Sequence, residues 1–227
     1  VALVETIREY GIPDEPFLKL IEANRMDQRT TRYETYADLL HYCDHSANPC
    51  GRLVLHLFGV TDASSRALSD FTCTALQLVN FWQDLAIDFA KGRVYLPQED
   101  LRRFGYTEEE LSRGVVNKPF AALMDHEVER TRALFIRGMP LADRLKGRAK
   151  LDIRLFLRGG LRVLDRIERN RYDVFRRRPT LAKFGKAWLT VTTIVDDPTY
   201  LVQPFVTSSD FRKEADGSKF APMPCRP

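Results

Sequence analysis

Four polar side chains recur along one otherwise apolar stretch, at a spacing that could bring them together. They are Gln77, Asn80, Asp84 and Asp88, which step by three, four and four residues. At about 100° per residue, all four would fall within roughly one quarter of a helix circumference. The residues around them are large and apolar: Leu76, Leu78, Val79, Phe81, Trp82, Leu85 and Ile87. The pattern therefore predicts a buried helix that carries two amides and two carboxylates into the interior.

Two carboxylates one turn apart are costly in an apolar setting unless a positive charge meets them. Mg²⁺ suits such a pair, because it prefers oxygen ligands and commonly takes one or two carboxylates together with substrate phosphates. Asp84 and Asp88 thus indicate a magnesium site that holds a diphosphate. The spacing alone fits a second interpretation equally well, a buried salt-bridge network in which both aspartates pair with arginines of a neighbouring helix.

Helical periodicity governs most of the chain. The stripe lies in a long predicted helix, 65–90, and further helices are predicted at 15–25, 33–42, 121–138 and 151–169. Ala47, Asn48, Pro49, Cys50 and Gly51 interrupt the second of these, and the apolar period then resumes, so we expect a kinked or broken helix there.

The chain changes character after Trp188. Residues 189–195 are β-branched and typical of a strand, and residues 196–227 are rich in Pro, Ser and Asp. We therefore predict a helical domain over 1–188 and an extended or disordered tail over 189–227.

Composition narrows the class of protein. The 227 residues are 44% hydrophobic and 29% charged, which is typical of one globular domain in water. No apolar run approaches the roughly 20 residues that span a bilayer, and the four cysteines lack zinc-ligand spacing. A net charge of +4 does not indicate nucleic-acid binding. We expect a cytoplasmic protein, with peripheral membrane contact left open by the basic segment 154–178.

Two motifs carry a resemblance to a known family. The sequence from Gln77 to Asp88, followed by the segment 91–97, resembles the second aspartate-rich motif of squalene and phytoene synthases and the flap after it. The segment 42–51, a Tyr-Cys pair leading into a break that ends in Gly, resembles an earlier segment of the same family. The resemblance covers 1–188 and implies an all-α isoprenoid-synthase bundle around a central apolar cavity.

The resemblance also implies roles for the polar stripe. Asp84 and Asp88 would bind Mg²⁺ and the diphosphate of a prenyl substrate. Gln77 and Asn80 would line the same site, with Asn80 as a possible third metal ligand.

Outside the stripe, the resemblance implies five more site residues. Tyr42 would lie near the reacting carbons, and Arg93 and Tyr95 would belong to the flap that closes over the diphosphate. The small residues Ala47 and Gly51 would leave room for the prenyl chain.

Two departures from the usual family pattern point to one branch. Gln83 stands where the family usually has Arg, and Ser46 to Pro49 replace the usual Val-Ala-Gly break. Both are similar to the hydroxysqualene synthase branch of hopanoid biosynthesis, in which presqualene diphosphate ionises and water captures the product cation. We expect Gln83 to alter how diphosphate is held, and Asn48 to help position water.

Other readings of the family pattern stay open. The chain could condense farnesyl diphosphate to presqualene diphosphate or squalene, or act as a phytoene synthase. It could also be a non-catalytic domain that binds prenyl lipid or a partner enzyme. Other hopanoid-pathway enzymes are among the expected partners. The family's first aspartate-rich motif is not seen, since Asp14 and Asp27 lack the four-residue spacing. We therefore expect a chain truncated before Val1, with half of its metal site missing.

Overall fold

The structure, a computed structural model, describes residues 2–176, 178, 179 and 193, and the first of these ranges forms eleven α-helices. In chain order these are α1 (Ala2–Tyr10), α2 (Glu15–Met26), α3 (Tyr36–Ser46), α4 (Asn48–Leu57), α5 (Ala63–Gln83), α6 (Leu85–Ala90), α7 (Gln98–Phe104), α8 (Glu108–Ser112), α9 (Lys118–Gly138), α10 (Leu141–Arg144) and α11 (Gly147–Arg169). The only β contact among the described residues is an isolated bridge between Arg32 and Val94. The predicted all-α class is confirmed.

Helix α5 is the centre of the bundle, with α3, α4, α9, α10 and α11 packed around it and α9 making the most extensive contact. Asp62 caps the start of α5 by accepting a hydrogen bond from the backbone N–H of Ser65 at 2.8 Å. Trp82 is fully buried between α5 and α9, and its indole N–H donates to the Thr131 hydroxyl at 2.9 Å. The apolar side of α5 is thus committed to the core, which fixes where its polar side points.

The long helix predicted over 65–90 is divided at Asp84. Asp84 has φ −106° and ψ 14°, so α5 ends one residue before it and α6 begins one residue after it. The backbone N–H of Asp84 still donates to Asn80 at 3.0 Å, and that of Asp88 donates to Asp84 at 2.8 Å. The two carboxylates therefore stay one turn apart although the helix bends at Asp84.

The predicted interruption near Pro49 is confirmed as the junction between α3 and α4. Ala47, with φ −114° and ψ −48°, is the shared cap of the two helices. Pro49 lies in the first turn of α4, where its missing N–H costs no intrahelical hydrogen bond. The Asn48 amide oxygen accepts a hydrogen bond from Thr74 at 2.9 Å and so joins α4 to α5.

A buried ionic cluster fixes α7 against α9. The Arg130 Nε donates to Glu127 at 2.7 Å, and its Nη2 lies 2.8 Å from Asp100 on α7. The guanidinium also lies over the Tyr36 ring, 3.6 Å from the centroid. One cation thus serves two carboxylates, and burial raises the pKa of Glu127 to about 8 despite the opposing charge of Arg130.

Replacing Glu127 with Gln should flatten the dependence of stability on pH. The folded chain keeps the Glu127 proton up to about pH 8, whereas an unfolded chain loses it near the ordinary value of about 4.3. The free energy of unfolding should therefore fall as pH rises between these values, by at most about 1.4 kcal/mol per pH unit. Urea unfolding of both proteins at several pH values measures the slope. An exposed neighbour, Glu129→Gln, should keep the original slope, and an unchanged slope in Glu127→Gln would contradict the assignment.

Two further predictions concern the C-terminal segment of the chain and the absence of a transmembrane helix. The predicted tail over 189–227 lies outside the described residues except for Thr193, which is buried, helical and hydrogen-bonded by Arg158 at 3.2 Å. Within the described part of the chain, none of the helices combines the length and hydropathy that a transmembrane segment requires.

Candidate active site

The polar stripe lies along a partly open face of α5 and α6. The side chains of Asp84 and Asp88 are 22% and 18% exposed, Asn80 is exposed, and Gln77 is half-buried. The prediction that the helix carries the stripe into the interior is therefore wrong. Packing against α9 turns the opposite side of α5 inward, and Ile87, expected to be part of the apolar wall, is 45% exposed.

Both carboxylates, Asp84 and Asp88, lie near positively charged side chains. The Arg178 guanidinium donates to both oxygens of Asp84, through Nε to Oδ1 and through Nη2 to Oδ2 at 2.8 Å. Lys91 lies 3.7 Å from Asp88. Partial burial and the neighbouring charge of Asp84 raise the pKa of Asp88, and Lys91 opposes the shift. The salt-bridge interpretation is thus realised for Asp84, although its arginine follows α11 in the chain and the pair is not buried.

Gln83 contributes to this arrangement from inside the protein. Its side chain is buried, and its Nε2 donates to the backbone carbonyl of Pro179. Gln83, which precedes Asp84, is therefore hydrogen-bonded to Pro179, which follows Arg178.

An aromatic cluster lies beside the stripe. The Phe81 and Tyr95 rings are stacked with centroids 3.8 Å apart, and the Tyr42 ring lies 6.2 Å from Phe81 and 6.0 Å from Tyr95. Tyr33 completes the cluster, 5.5 Å from Tyr42, and its buried hydroxyl has no hydrogen-bond partner among the residues the structure describes. Burial raises the pKa of Tyr42, and the hydrogen bond that its hydroxyl donates to Asp27 raises it further.

Asp27 contacts two of the predicted site residues, although its spacing in the sequence did not identify it. It follows the last turn of α2 and accepts the Tyr42 hydroxyl hydrogen bond at 2.8 Å. Its backbone carbonyl accepts from Arg93 at 3.3 Å, and its carboxylate lies 3.9 Å from the same guanidinium. Because its partners lie on other elements, no periodic signal in the sequence could have identified it.

The segment 91–97 is held against the loop between α2 and α3. The backbone N–H of Val94 donates to Thr31 at 2.9 Å, and Arg32 donates to the Gly92 carbonyl at 2.6 Å and to Glu108 at 2.7 Å. These bonds bring Arg93 beside Asp27 and bury Tyr95 within the aromatic cluster. Tyr42, Arg93 and Tyr95, which were predicted from separate motifs, are thus brought together.

A largely apolar cavity of about 560 Å³ lies between α4, α5, α10 and α11. Residues of these helices and the residues that follow α4 and α10 line it: Cys50, Gly51, Val54, Phe58, Thr72, Cys73, Leu76, Leu145, Ile153 and Phe156. A Cβ atom on Gly51 would lie 2.4 Å from the Ser69 Oγ and 2.5 Å from the Cys73 Sγ. Gly51 therefore lets α4 approach α5 closely as well as lining the cavity, while Ala47 forms the α3–α4 junction.

The described residues contain no group of three or more His, Cys, Asp or Glu side chains placed to hold a metal ion. Asp84 and Asp88 remain as a pair of hard oxygen donors, with the amide of Asn80 one turn earlier on the same face. This donor set fits Mg²⁺, which needs few protein ligands when a phosphate supplies the others.

The all-α bundle, with an apolar cavity beside its central helix, has the fold of the isoprenoid synthases, as the solved structures described below show. The family model for squalene/phytoene synthase matches residues 1–185. The chain belongs to the squalene/phytoene synthase family.

Comparisons with individual proteins agree with this family. The chain is 35% identical over 198 residues to 15-cis-phytoene synthase of Synechococcus elongatus, covering 82% of this chain and 64% of that protein. It is 30% identical to the chloroplastic phytoene synthase of Daucus carota, covering 82% of this chain and 48% of the relative. The chain thus spans less than two thirds of the length of these relatives.

Solved structures show the same bundle. The structure of squalene synthase HpnC from Alicyclobacillus acidocaldarius superposes with a TM-score of 0.74 at 43% identity, covering 75% of this chain and 65% of that one. A dehydrosqualene synthase superposes with a TM-score of 0.76 at 21% identity, covering 83% and 66%. The second likeness is one of fold alone.

Proposed function

We propose that this chain is the catalytic part of a magnesium-dependent enzyme that converts presqualene diphosphate to hydroxysqualene and releases diphosphate. The observation that carries the proposal is that the carboxylate pair adjoins the segment 91–97 and the aromatic cluster. The backbone N–H of Arg93 donates to the carbonyl of Asp88 at 2.9 Å, and Phe81 of the cluster lies three residues before Asp84. Leu76, which lines the apolar cavity, is adjacent to Gln77 at the start of the stripe. The carboxylate pair would receive a charged head group, and the apolar cavity, which α5 also lines, would receive a long apolar chain.

Asp84 and Asp88 would hold Mg²⁺, with Asn80 as a further oxygen donor and Gln77 on the same face. The bound ion would supply positive charge that stabilises the departing diphosphate. Partial burial and the neighbouring charge of Asp84 raise the pKa of Asp88, so a cation bound between the two carboxylates would favour their charged forms.

The chain's own residues would bind and orient the reacting ends of the substrate. Arg93, fixed beside Asp27, would donate to the diphosphate. When the carbon–oxygen bond breaks, the electron pair leaves with the diphosphate, and the rings of Tyr42, Phe81 and Tyr95 would face the carbocation that remains. Asp27 accepts the Tyr42 O–H and so holds that ring in one orientation. Water then adds to the rearranged cation and loses a proton, which gives hydroxysqualene.

Gln83 supports the hydroxysqualene branch within the family. Its amide is buried and bonded to Pro179, so position 83 contributes no positive charge to the diphosphate site. The 43% identity to a protein described as squalene synthase HpnC also favours this branch. Asn48 does not support it, because its amide oxygen accepts from Thr74 within the bundle.

A second candidate function is the condensation of two prenyl diphosphates, as in a phytoene or squalene synthase. It is favoured by the identity of 35% to a cyanobacterial 15-cis-phytoene synthase. The two activities need the same carboxylate pair and differ in the substrate consumed.

Incubation of the full chain with Mg²⁺ and presqualene diphosphate tests the proposed function. We expect hydroxysqualene by mass spectrometry and a loss of about 100-fold or more in Asp84→Asn, since that variant weakens the hold on the metal ion whose positive charge would stabilise the leaving group. Asp143→Asn, which changes an exposed aspartate on α10, is the matched control and should keep full activity. Conversion of farnesyl or geranylgeranyl diphosphate instead would support the second candidate. No product from any of these, in a folded helical sample, would favour the non-catalytic binding domain.

A further inference from the structure

Gln83 and Asp84, at the end of α5, form hydrogen bonds with Pro179 and Arg178, which follow α11 in the chain. Gln83 donates to the carbonyl of Pro179, and Asp84 accepts two hydrogen bonds from Arg178. The Gln83 side chain is 7% exposed and Pro179 is buried, whereas Arg178 is exposed. The buried Gln83–Pro179 bond, here called the inner contact, thus anchors the segment. The exposed Arg178–Asp84 pair, the outer contact, places a guanidinium on a carboxylate.

The outer contact uses the oxygens that a metal ion would need. A bidentate guanidinium engages both Asp84 oxygens in a fixed fork geometry. A divalent cation and the Arg178 guanidinium would therefore compete for Asp84. The anchor at Pro179 does not depend on that competition, because it is made by a neutral amide to a backbone carbonyl.

We propose that Arg178 is the cation that neutralises Asp84 before a divalent metal binds, and that Gln83 is the positioning residue that keeps it there. This inference rests on the proposed function, since it concerns the same metal site. Metal binding displaces the guanidinium from Asp84, while the Gln83–Pro179 bond keeps it next to the cleft. The displaced guanidinium then donates to the diphosphate, for which its planar fork is well suited.

Metal binding to the full chain without substrate tests the proposal, with Mn²⁺ followed by electron paramagnetic resonance as the probe. Arg178→Gln should bind Mn²⁺ about fivefold more tightly or better, because no cation competes for Asp84. Arg178→Lys, which restores the charge without the fork, should fall between that variant and the parent. Arg176→Gln changes an exposed arginine that pairs with Asp173 and should leave the affinity unchanged.

Two further measurements separate the parts of the proposal. Inorganic pyrophosphate, titrated calorimetrically at saturating Mg²⁺, should bind Arg178→Gln about fivefold more weakly or worse. Gln83→Leu, which cannot donate to Pro179, should tighten Mn²⁺ binding in the same direction as Arg178→Gln. If Gln83→Leu matches the parent while Arg178→Gln does not, the positioning role is wrong. If Gln83→Leu does not fold, the two Arg178 variants decide the proposal.

Asp84→Asn distinguishes this proposal from the proposed function. Equal Mn²⁺ binding by the parent and Asp84→Asn would show that the carboxylate pair is not the metal site, and the proposed function would fail with it. Loss of Mn²⁺ binding in Asp84→Asn with unchanged or weaker binding in Arg178→Gln would overturn the role of Arg178 alone.

Discussion

Arg130→Met is expected to lower the free energy of unfolding by about 3–5 kcal/mol, because it leaves two buried carboxylates without their cation. The Arg130 side chain is 17% exposed, and those of Asp100 and Glu127 are 5% and 0% exposed. Protonation of Glu127 relieves only one of the two charges. The methionine keeps much of the packing volume over Tyr36 but cannot donate a hydrogen bond.

Urea unfolding at neutral pH measures the effect of Arg130→Met. Arg113→Met removes an exposed arginine paired with Glu109 and should cost about 1 kcal/mol or less. Adding Glu127→Gln to Arg130→Met should recover part of the loss, since the amide avoids the cost of keeping a titratable acid in the buried cluster. A cost for Arg130→Met no larger than that of Arg113→Met would show that the buried cluster does not hold α7 against α9.

Gly160→Ala should destabilise the bundle by about 2–3 kcal/mol through overpacking. A Cβ atom at Gly160 would lie 2.2 Å from Cζ of Phe135 and 2.7 and 2.9 Å from its two Cε atoms. Phe135 is fully buried, so its ring has no free space into which to move. Helix propensity alone predicts the opposite sign, a gain of up to about 1 kcal/mol for alanine in α11.

Thermal and urea unfolding of Gly160→Ala distinguish the two effects by sign. The double variant Gly160→Ala, Phe135→Leu should be more stable than Phe135→Leu alone, because the added methyl then fills space that the ring has left. A single Gly160→Ala variant that is more stable than the parent would contradict the close contact between α9 and α11.

Local signals in the sequence predicted the helices well. The spacing of Thr107 and Glu110 is typical of a capping box, and the structure contains both of its hydrogen bonds. The break between α3 and α4 was correctly predicted from Pro49, because the effect of proline on the backbone is local. The bend at Asp84 was not predictable in this way, since its neighbours keep the helical four-residue spacing and the hydrogen bonds continue across it.

The candidate site was predictable only where one element carries several of its residues. The stripe on α5 and α6 was found from periodicity, but its exposure depends on which side of α5 packs against α9. Asp27 and Arg178 were missed because their partners Tyr42 and Asp84 lie 15 and 94 residues away. The family resemblance identified the correct family, and the branch within it remains a proposal.

The separation of Asp84 and Arg178 also has a consequence for synthesis on the ribosome. The two residues are 94 positions apart, so the carboxylate emerges long before its guanidinium partner. At roughly 5–20 residues per second, the interval is about 5–20 s. During that time α5 and α6 are complete while Asp84 lacks this cation, so the nascent bundle forms its first helix contacts before the guanidinium partner of Asp84 exists.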